Sequence, residues 1–308
     1  MAGCIAGIYK NRMVMKNPCA VSILIPNYNS SDLINEALES VVSTAGEILF
    51  EVILIDDAST DGGFALVDEK YKRDARCTFV QCERHIGFSA LNLALDRARG
   101  TYLMTLDTDA RLRPGALRSL VAFMEQHPDA GAATASLQYP DGSPQNYHRR
   151  LMTPMRGFFT TVPGRFIDKY LLDLRNYKSY HYDDIDITRV FEIEQPPTAC
   201  FMLRRKLLGP YIVDPRFEMV FLDVDLCRRI YDAGYKIYLV PDAIVTHIKS
   251  AAASKRTNSS RERGYYRDLF SYFKKHYPLA APLMWVLLWV DRTMRTVLIR
   301  AVGRAPMR

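Results

Sequence analysis

The chain reads as an α/β protein built on a doubly wound, mostly parallel sheet with a C-terminal helical extension. Two observations carry that reading. Apolar, β-branched runs recur through the N-terminal half and end abruptly in polar residues, and segments with apolar residues at helical spacing lie between them. Strands that alternate with helices return by crossovers, and such crossovers make the strands parallel. With 308 residues, 48% of them hydrophobic, the chain can bury one large core. One main domain over 18–250, an N-terminal extension over 1–17 and a loop with helices over 251–308 fit better than two equal domains.

The elements follow in order. AVSILIPNYN at 20–29 is a core strand closed by Pro26 and Asn27, and SDLINEALESVV at 31–42 carries a helical apolar stripe. FEVILIDDASTDG at 50–62 is a second strand, running into Asp56, Asp57 and a small polar loop. Helical segments follow at about 63–72, 88–98 and 114–126, and TYLMTLDTDA at 101–110 is a further strand. Residues 139–196 hold many aromatics with Arg149, Arg150 and Arg156 interspersed, and read as an irregular insertion. PPTACFMLRRKLL at 196–208 is a core strand entering a short helix, which would bring Thr198 and Ala199 near the same rim.

That rim is acidic. In an extended backbone residues i and i+2 point to one side, so Asp107 and Asp109 would face a single point past their strand. Ligands of open α/β sheets bind beyond the carboxyl ends of strands, and two convergent carboxylates suit Mg²⁺ or Mn²⁺ held against phosphates. The alternative is a solvated turn capping the next helix, for which Pro114 is well placed. Asn27, Tyr28, Asp56 and Asp57 reach the same edge from the first two strands.

SILIPNYN, VILIDDASTDG, RHIGFSALNLALDRARGTYLMTLDTDA and FLDVDLCRRIYDAGYKIYLVPDAIVTH, in that order across about 20–250, resemble a family 2 glycosyltransferase of the GT-A fold. Within it, DGSPQNYHRRLMTP at 141–154 is similar to rhamnosyltransferase-like members. The resemblance implies a Rossmann-like fold with a nucleotide-sugar half over 18–138 and an acceptor half over 139–250. It implies an inverting, metal-dependent transfer from a UDP- or dTDP-linked sugar to a cell-surface or lipid-linked glycan. Pro26, Asn27, Tyr28, Asp56 and Thr198 would then line the donor site, with Asp57 on the pyrimidine. Asp107 would lie near ribose and cation, Asp109 would be the main ligand of Mn²⁺ or Mg²⁺, and His247 would add an imidazole. Asp223 would be the general base. Leu222 stands where the family commonly has Glu, so Asp223 acts alone or Asp225 shares its role. His85 stands where Asn is usual and reads as an exposed loop residue.

Each assignment has a structural alternative. Asp223 and Asp225 would complement a helix N-terminus, His247 would bond backbone, and Asp56 would form an Asx turn. A nucleotidyltransferase would show a glycine- and lysine-rich loop after the first strand, which PNYNSSDL is not. Retention of Asp107, Asp109, Asp223 and His247 argues against a non-catalytic sugar-nucleotide-binding relic, and the missing G-x-G-x-x-G excludes a dehydrogenase.

The net charge of +7 is mild, and no basic stripe with stacking aromatics marks the N-terminal half, which excludes nucleic acid as a partner. Basic residues gather late instead, around Lys249 to Arg267 and from Arg292 onward, a pattern suited to diphosphate or anionic lipid. SAAASKRTNSSRERG at 250–264 reads as a mobile loop whose Lys255, Arg256 or Arg261 would close over a diphosphate. Six cysteines without metal spacing, and no signal-peptide core near the start, lead to a cytoplasmic expectation. LAAPLMWVLLWV at 279–290 is too short to span a bilayer, which needs roughly 20 residues. Continued as a helix it would offer Trp285, Leu288, Trp289, Val297 and Leu298 to a membrane surface, with Arg292, Arg295, Arg300 and Arg304 as cationic heads. Packing on the domain, or a homodimer contact, is the alternative.

Overall fold

The computed structural model describes residues 19–172, 180–182, 186–218, 220–248 and 258–302. Nine strands form one sheet: β1 Val21–Asn27, β2 Phe50–Asp56, β3 Cys77–Gln81, β4 Tyr102–Leu106, β5 Ala110–Leu112, β6 Ala130–Gln138, β7 Phe191–Glu192, β8 Cys200–Arg204 and β9 Lys236–His247. Their order is β3-β2-β1-β4-β8-β6-β9-β5, with β7 beside β9. Helices α1 Ser31–Thr44, α2 Gly63–Tyr71 and α3 Ala116–Gln126 accompany the first half. α4 Pro154–Thr160, α5 Val162–Ile167, α6 Leu222–Asp232, α7 Asn258–His276 and α8 Ala281–Val302 belong to the second.

β3, β2, β1 and β4 are parallel, as the alternating pattern predicts. β2 is buried along its whole length, which explains why its central run Val52–Ile55 is apolar rather than alternating; the buried Glu51 is satisfied by Ser22 and Arg99. α1 buries Ile34, Ala37, Leu38 and Val41, one stripe at helical spacing. The sheet departs from wholly parallel at β8, which runs antiparallel to both β4 and β6, and at β5 and β7, which pair antiparallel with β9. The 88–98 helix is also different: Gly87–Ala94 forms 3₁₀ turns. Its Asn92 is tied sideways, donating to Val213 O and accepting from the amides of Ile212 and Val213. α3 starts two residues later than expected, after a left-handed Gly115.

The C-terminal helices are part of the core rather than appended to it. Tyr266, Leu269, Tyr272, Phe273, Met284 and Leu288 join the cluster that contains Phe217 and Phe221. Leu288, expected on an exposed surface, is buried, and Arg295 is tied to Asp291 and Thr160 O. The opposite face of α8 leaves Leu283, Trp285, Val286, Trp289 and Val297 exposed. Among the described residues no helix is long and apolar enough to cross a membrane. The later part of the 250–264 stretch, from Asn258, is helix in α7 rather than loop, and its earlier residues lie outside the described ones. Cys19, Cys77, Cys82, Cys200 and Cys227 are buried, and the Cys19 thiol donates to Val21 O.

One buried ionic cluster fixes α6 to α7. Asp225 is fully buried and accepts from Lys275 Nζ (2.5 Å), His276 Nε2 (2.7 Å) and Arg229 Nε (3.1 Å). Lys275 also reaches Asp214 at 2.8 Å. Burial alone would raise the Asp225 carboxyl, but the bonds from His276 and Lys275 and the Arg229 charge hold it below the usual range. The folded value is depressed, so this contribution to stability is fully present above the ordinary carboxyl pKa and lost as pH falls from there through the lower folded value. Asp225→Ala strands buried cations and should lower unfolding stability by about 3–5 kcal/mol. Urea denaturation at neutral pH measures it; a loss below about 1 kcal/mol would mean that the cluster does not hold the helices together.

Candidate functional site

The two carboxylates of the acidic rim converge by a turn rather than by strand alternation. β4 ends at Leu106, the Asp107 amide donates to Ala199 O of the β8 approach (3.0 Å), and the Ala110 amide closes back on Asp107 O (3.0 Å). β5 then pairs antiparallel with the end of β9, Ala110 opposite His247, and the Ile248 amide donates to Asp109 O (2.9 Å). This pairing sets His247 Nε2 3.4 Å from Asp109 Oδ1. One ligand atom each from Asp107, Asp109 and His247 lies within 4.8 Å of the others, a set of two hard oxygens and an imidazole able to hold a divalent cation.

Gln145, which sequence reasoning missed, prepares that imidazole. Its buried amide donates through Nε2 to His247 O (2.6 Å), which turns Oε1 toward His247 Nδ1 at 2.8 Å. Nδ1 therefore donates to Gln145 Oε1, and Nε2 is the nitrogen turned toward Asp109. Burial, and then the like charge of Asp109, pushes the Asp107 carboxyl up to about 6, with His247 opposing. A cation would relieve that repulsion.

Asp107 and Asp223 line one small cavity, with Pro26, Phe88, Thr105 and Thr198 among the other walls. Asp223 sits in the first turn of α6 and accepts from Gln195 Nε2 at 3.0 Å. Phe221, just before the helix, adopts a left-handed φ of 64°, rare for a bulky residue. Tyr265 and Tyr272 pack against its ring, and the Val220 amide is anchored to Asp268 Oδ2. Two positions along the helix, Asp225 points instead into the buried cluster with Lys275 and His276, away from this cavity, so it is not placed to share a base role.

At the β1–β2 end, Tyr28 is exposed and stacks on His85 with ring centroids 4.1 Å apart. His85, read from sequence as a free loop residue, also approaches Asp57 at 2.6 Å. Asp57 accepts from the amides of Ile86 (2.7 Å) and Gly87 (2.8 Å), and its carboxyl is raised by burial against those bonds. Asn27 and Asp56, expected on the ligand surface, are buried and bonded to each other at 2.7 Å. Asp56 further accepts from the Ser59 amide, three residues on, and from Gln81, so its carboxylate is tied into its own loop. Their work is to lock the ends of β1 and β2. Lys255 and Arg256 lie outside the described residues, and of Arg261 only the backbone, in α7, is described.

Comparison with known proteins gives three findings. The profile of the family described as "Glycosyl transferase family 2" matches residues 22–208. The putative teichuronic acid biosynthesis glycosyltransferase TuaG of Bacillus subtilis is 35% identical over 126 residues, 40% of this chain and 50% of that protein. The O-antigen biosynthesis protein RfbC of Myxococcus xanthus is 26% identical over 270 residues, 86% of this chain and 20% of that protein. The chain thus spans half or less of the length of these curated relatives. Among solved structures, GalNAc-T7 with UDP, GalNAc and Mn²⁺ superposes with a TM-score of 0.60 over 82% of this chain and 48% of that one. At 18% identity that likeness shows the fold alone.

Calorimetry with Mn²⁺ checks the cation site. Asp109→Asn should lose most affinity, while Gln145→Leu and His247→Ala should weaken it by about 10- to 100-fold. Because binding needs ionised Asp107, affinity should fall as pH drops through about 6. Equal binding by all variants would rule the site out.

Proposed function

The chain belongs to glycosyl transferase family 2, and from that premise we propose that it transfers a sugar from a UDP- or dTDP-linked donor to an acceptor hydroxyl, with inversion at the anomeric carbon. The observation that carries this reading is the cavity shared by Asp107, of the Asp-Asp-His cluster, and Asp223. The donor diphosphate lies against Asp107, Asp109 and His247, its base end reaches Tyr28 and Asp57, and Pro26 and Thr198 border the sugar. Asp223 takes the proton of the acceptor hydroxyl as its oxygen bonds to the anomeric carbon. The bond from that carbon to the diphosphate breaks on the opposite face, the electron pair leaving with the diphosphate. Bound at Asp107, Asp109 and His247, Mn²⁺ or Mg²⁺ supplies charge stabilisation to that leaving group. Gln195 holds the Asp223 carboxylate, and Gln145 orients the His247 ring. Lys255, Arg256 and Arg261 are offered as diphosphate contacts from the segment after β9.

The acceptor in this reading is a cell-surface or lipid-linked glycan, reached by peripheral attachment at the inner face of the cell membrane. Its support is α8: Trp285 and Trp289 are exposed on the face opposite the packed Met284, Leu288 and Asp291, with exposed Arg292 on the flank. Leu279 before it is 99% exposed.

Two experiments follow. Asp223→Asn keeps shape but removes the proton acceptor, so Mn²⁺-dependent UDP binding should persist while donor turnover falls by about 10²- to 10⁴-fold. Wild-type turnover would move the base elsewhere. For the membrane, the full chain should sediment with phosphatidylglycerol vesicles at low salt, and the double variant Trp285→Ser, Trp289→Ser should remain in the supernatant. Absence of vesicle binding, with a dimer that the double variant abolishes, would assign the face to self-association instead.

A further inference from the structure

A second concavity lies at the other end of β4 and β8, where β4 begins and β8 stops. Tyr102 pairs there with Arg204, whereas Leu106, beside Asp107, pairs with Cys200. Its walls are Arg99, Gly100, Thr101, Arg204, Arg205 and Lys206, and its volume is about 500 Å³, within the range of small-molecule sites. Extended chain from Thr101 to Asp107 covers roughly 20 Å, so this concavity is separate from the acidic rim.

Four of its six walls are cations and none is a carboxylate. Glu51, its side chain 2% exposed, answers Arg99 alone, accepting from Nε (2.9 Å) and Nη2 (2.6 Å). Among the described residues Arg204, Arg205 and Lys206 have no acidic partner. Like charges gathered without a counter-ion repel, yet the fold holds these in place. Arg204 donates through Nε to Ala130 O (3.0 Å) and through Nη2 to Met124 O (2.9 Å) and His127 O (3.3 Å). The Arg205 amide is anchored to Thr101 O (3.2 Å), and Lys206 Nζ lies 5.6 Å from the centre of the Tyr235 ring. Nη1 of Arg99, Arg204 and Arg205 makes no hydrogen bond among the described residues, and the exposed Thr101 adds a hydroxyl. Side chains already held lose little freedom when a ligand arrives, and guanidinium edges match phosphate oxygens. A carboxylate brings one negative charge. A phosphomonoester or diphosphate brings about two or more, which answers three uncompensated cations better.

We infer that this concavity is a phosphate-binding site, distinct from the donor site, for a ligand bearing a phosphomonoester or diphosphate, with Arg204, Arg205 and Lys206 as its cationic contacts. A soluble phosphate compound and a lipid phosphate headgroup present the same chemistry.

Calorimetry of the full chain with inorganic pyrophosphate in EDTA tests the site, because the proposed donor diphosphate site needs its cation. One pyrophosphate should bind, and the double variant Arg205→Gln, Lys206→Gln should weaken it by about 10-fold or more, the value of a charge-assisted bond. Lys206→Glu alone, at an exposed position, should weaken it too, and serves if the double variant does not fold. Asp109→Asn should bind as the parent chain does. Displacement of pyrophosphate by phosphatidic acid vesicles, but not by phosphatidylcholine vesicles, would identify a lipid headgroup; pyrophosphate that stays bound in both would identify a soluble ligand. No pyrophosphate binding, affinity unchanged by the Arg205 and Lys206 substitutions, or affinity lost in Asp109→Asn overturns the inference. None of these results bears on sugar transfer, so the site and the proposed function stand or fall separately.

Discussion

The three-residue strand β5 is the constraint on which the site depends. Asp107 and Asp109 are close in sequence, but their turn alone leaves them without a third group. Pairing Ala110 with His247 at the end of β9 supplies it, and the same register allows Gln145 to reach both the ring and the carbonyl of His247. The bonds are few and the loops long, so the arrangement needs rigid support. β9 has that support in its long parallel pairing with β6, which spans Ala130 to Gln138. A soft edge strand would leave the imidazole to wander, and a ligand held loosely loses the advantage of being prepared in advance.

The second support is the division of labour on α6. Asp223 and Asp225 are separated by two positions, which on a helix turns side chains well apart. One therefore faces the cavity and the other faces α7. Full burial of a carboxylate is costly, and Lys275, His276 and Arg229 offset that cost only because α7 ends beside α6. The C-terminal helices thus hold α6, and with it Asp223, in place. The left-handed Phe221 stores strain at the entry to α6, and the aromatic cluster around Tyr265 and Tyr272 keeps it there.

The sheet and the acidic rim were legible because their causes are local. Buried parallel strands must be apolar throughout, helices must show a stripe, and polar residues where a strand stops must face its end. The misreadings have local causes too. Asn27 and Asp56 look like ligand contacts because they are polar at strand ends, yet they answer each other across β1 and β2. His85 looks free because its partners, Tyr28 and Asp57, come from other loops. The polar stretch after β9 looks like an unbroken loop because weak propensities near Asn258 do not announce a helix that packing later stabilises.

By itself the sequence determined the α/β class and the strands that end at the acidic rim of Asp107 and Asp109, since apolar periodicity and motif order depend on neighbours in the chain. Only the tertiary structure decided that Gln145 orients the His247 ring, that Asp225 is an anchor, that Leu288 faces inward while Trp285 and Trp289 face outward, and that Asp107 and Asp223 line one cavity. Each of these depends on contacts between residues far apart in the chain. Such contacts are set by strand order and helix docking, and no local pattern of residue types encodes them.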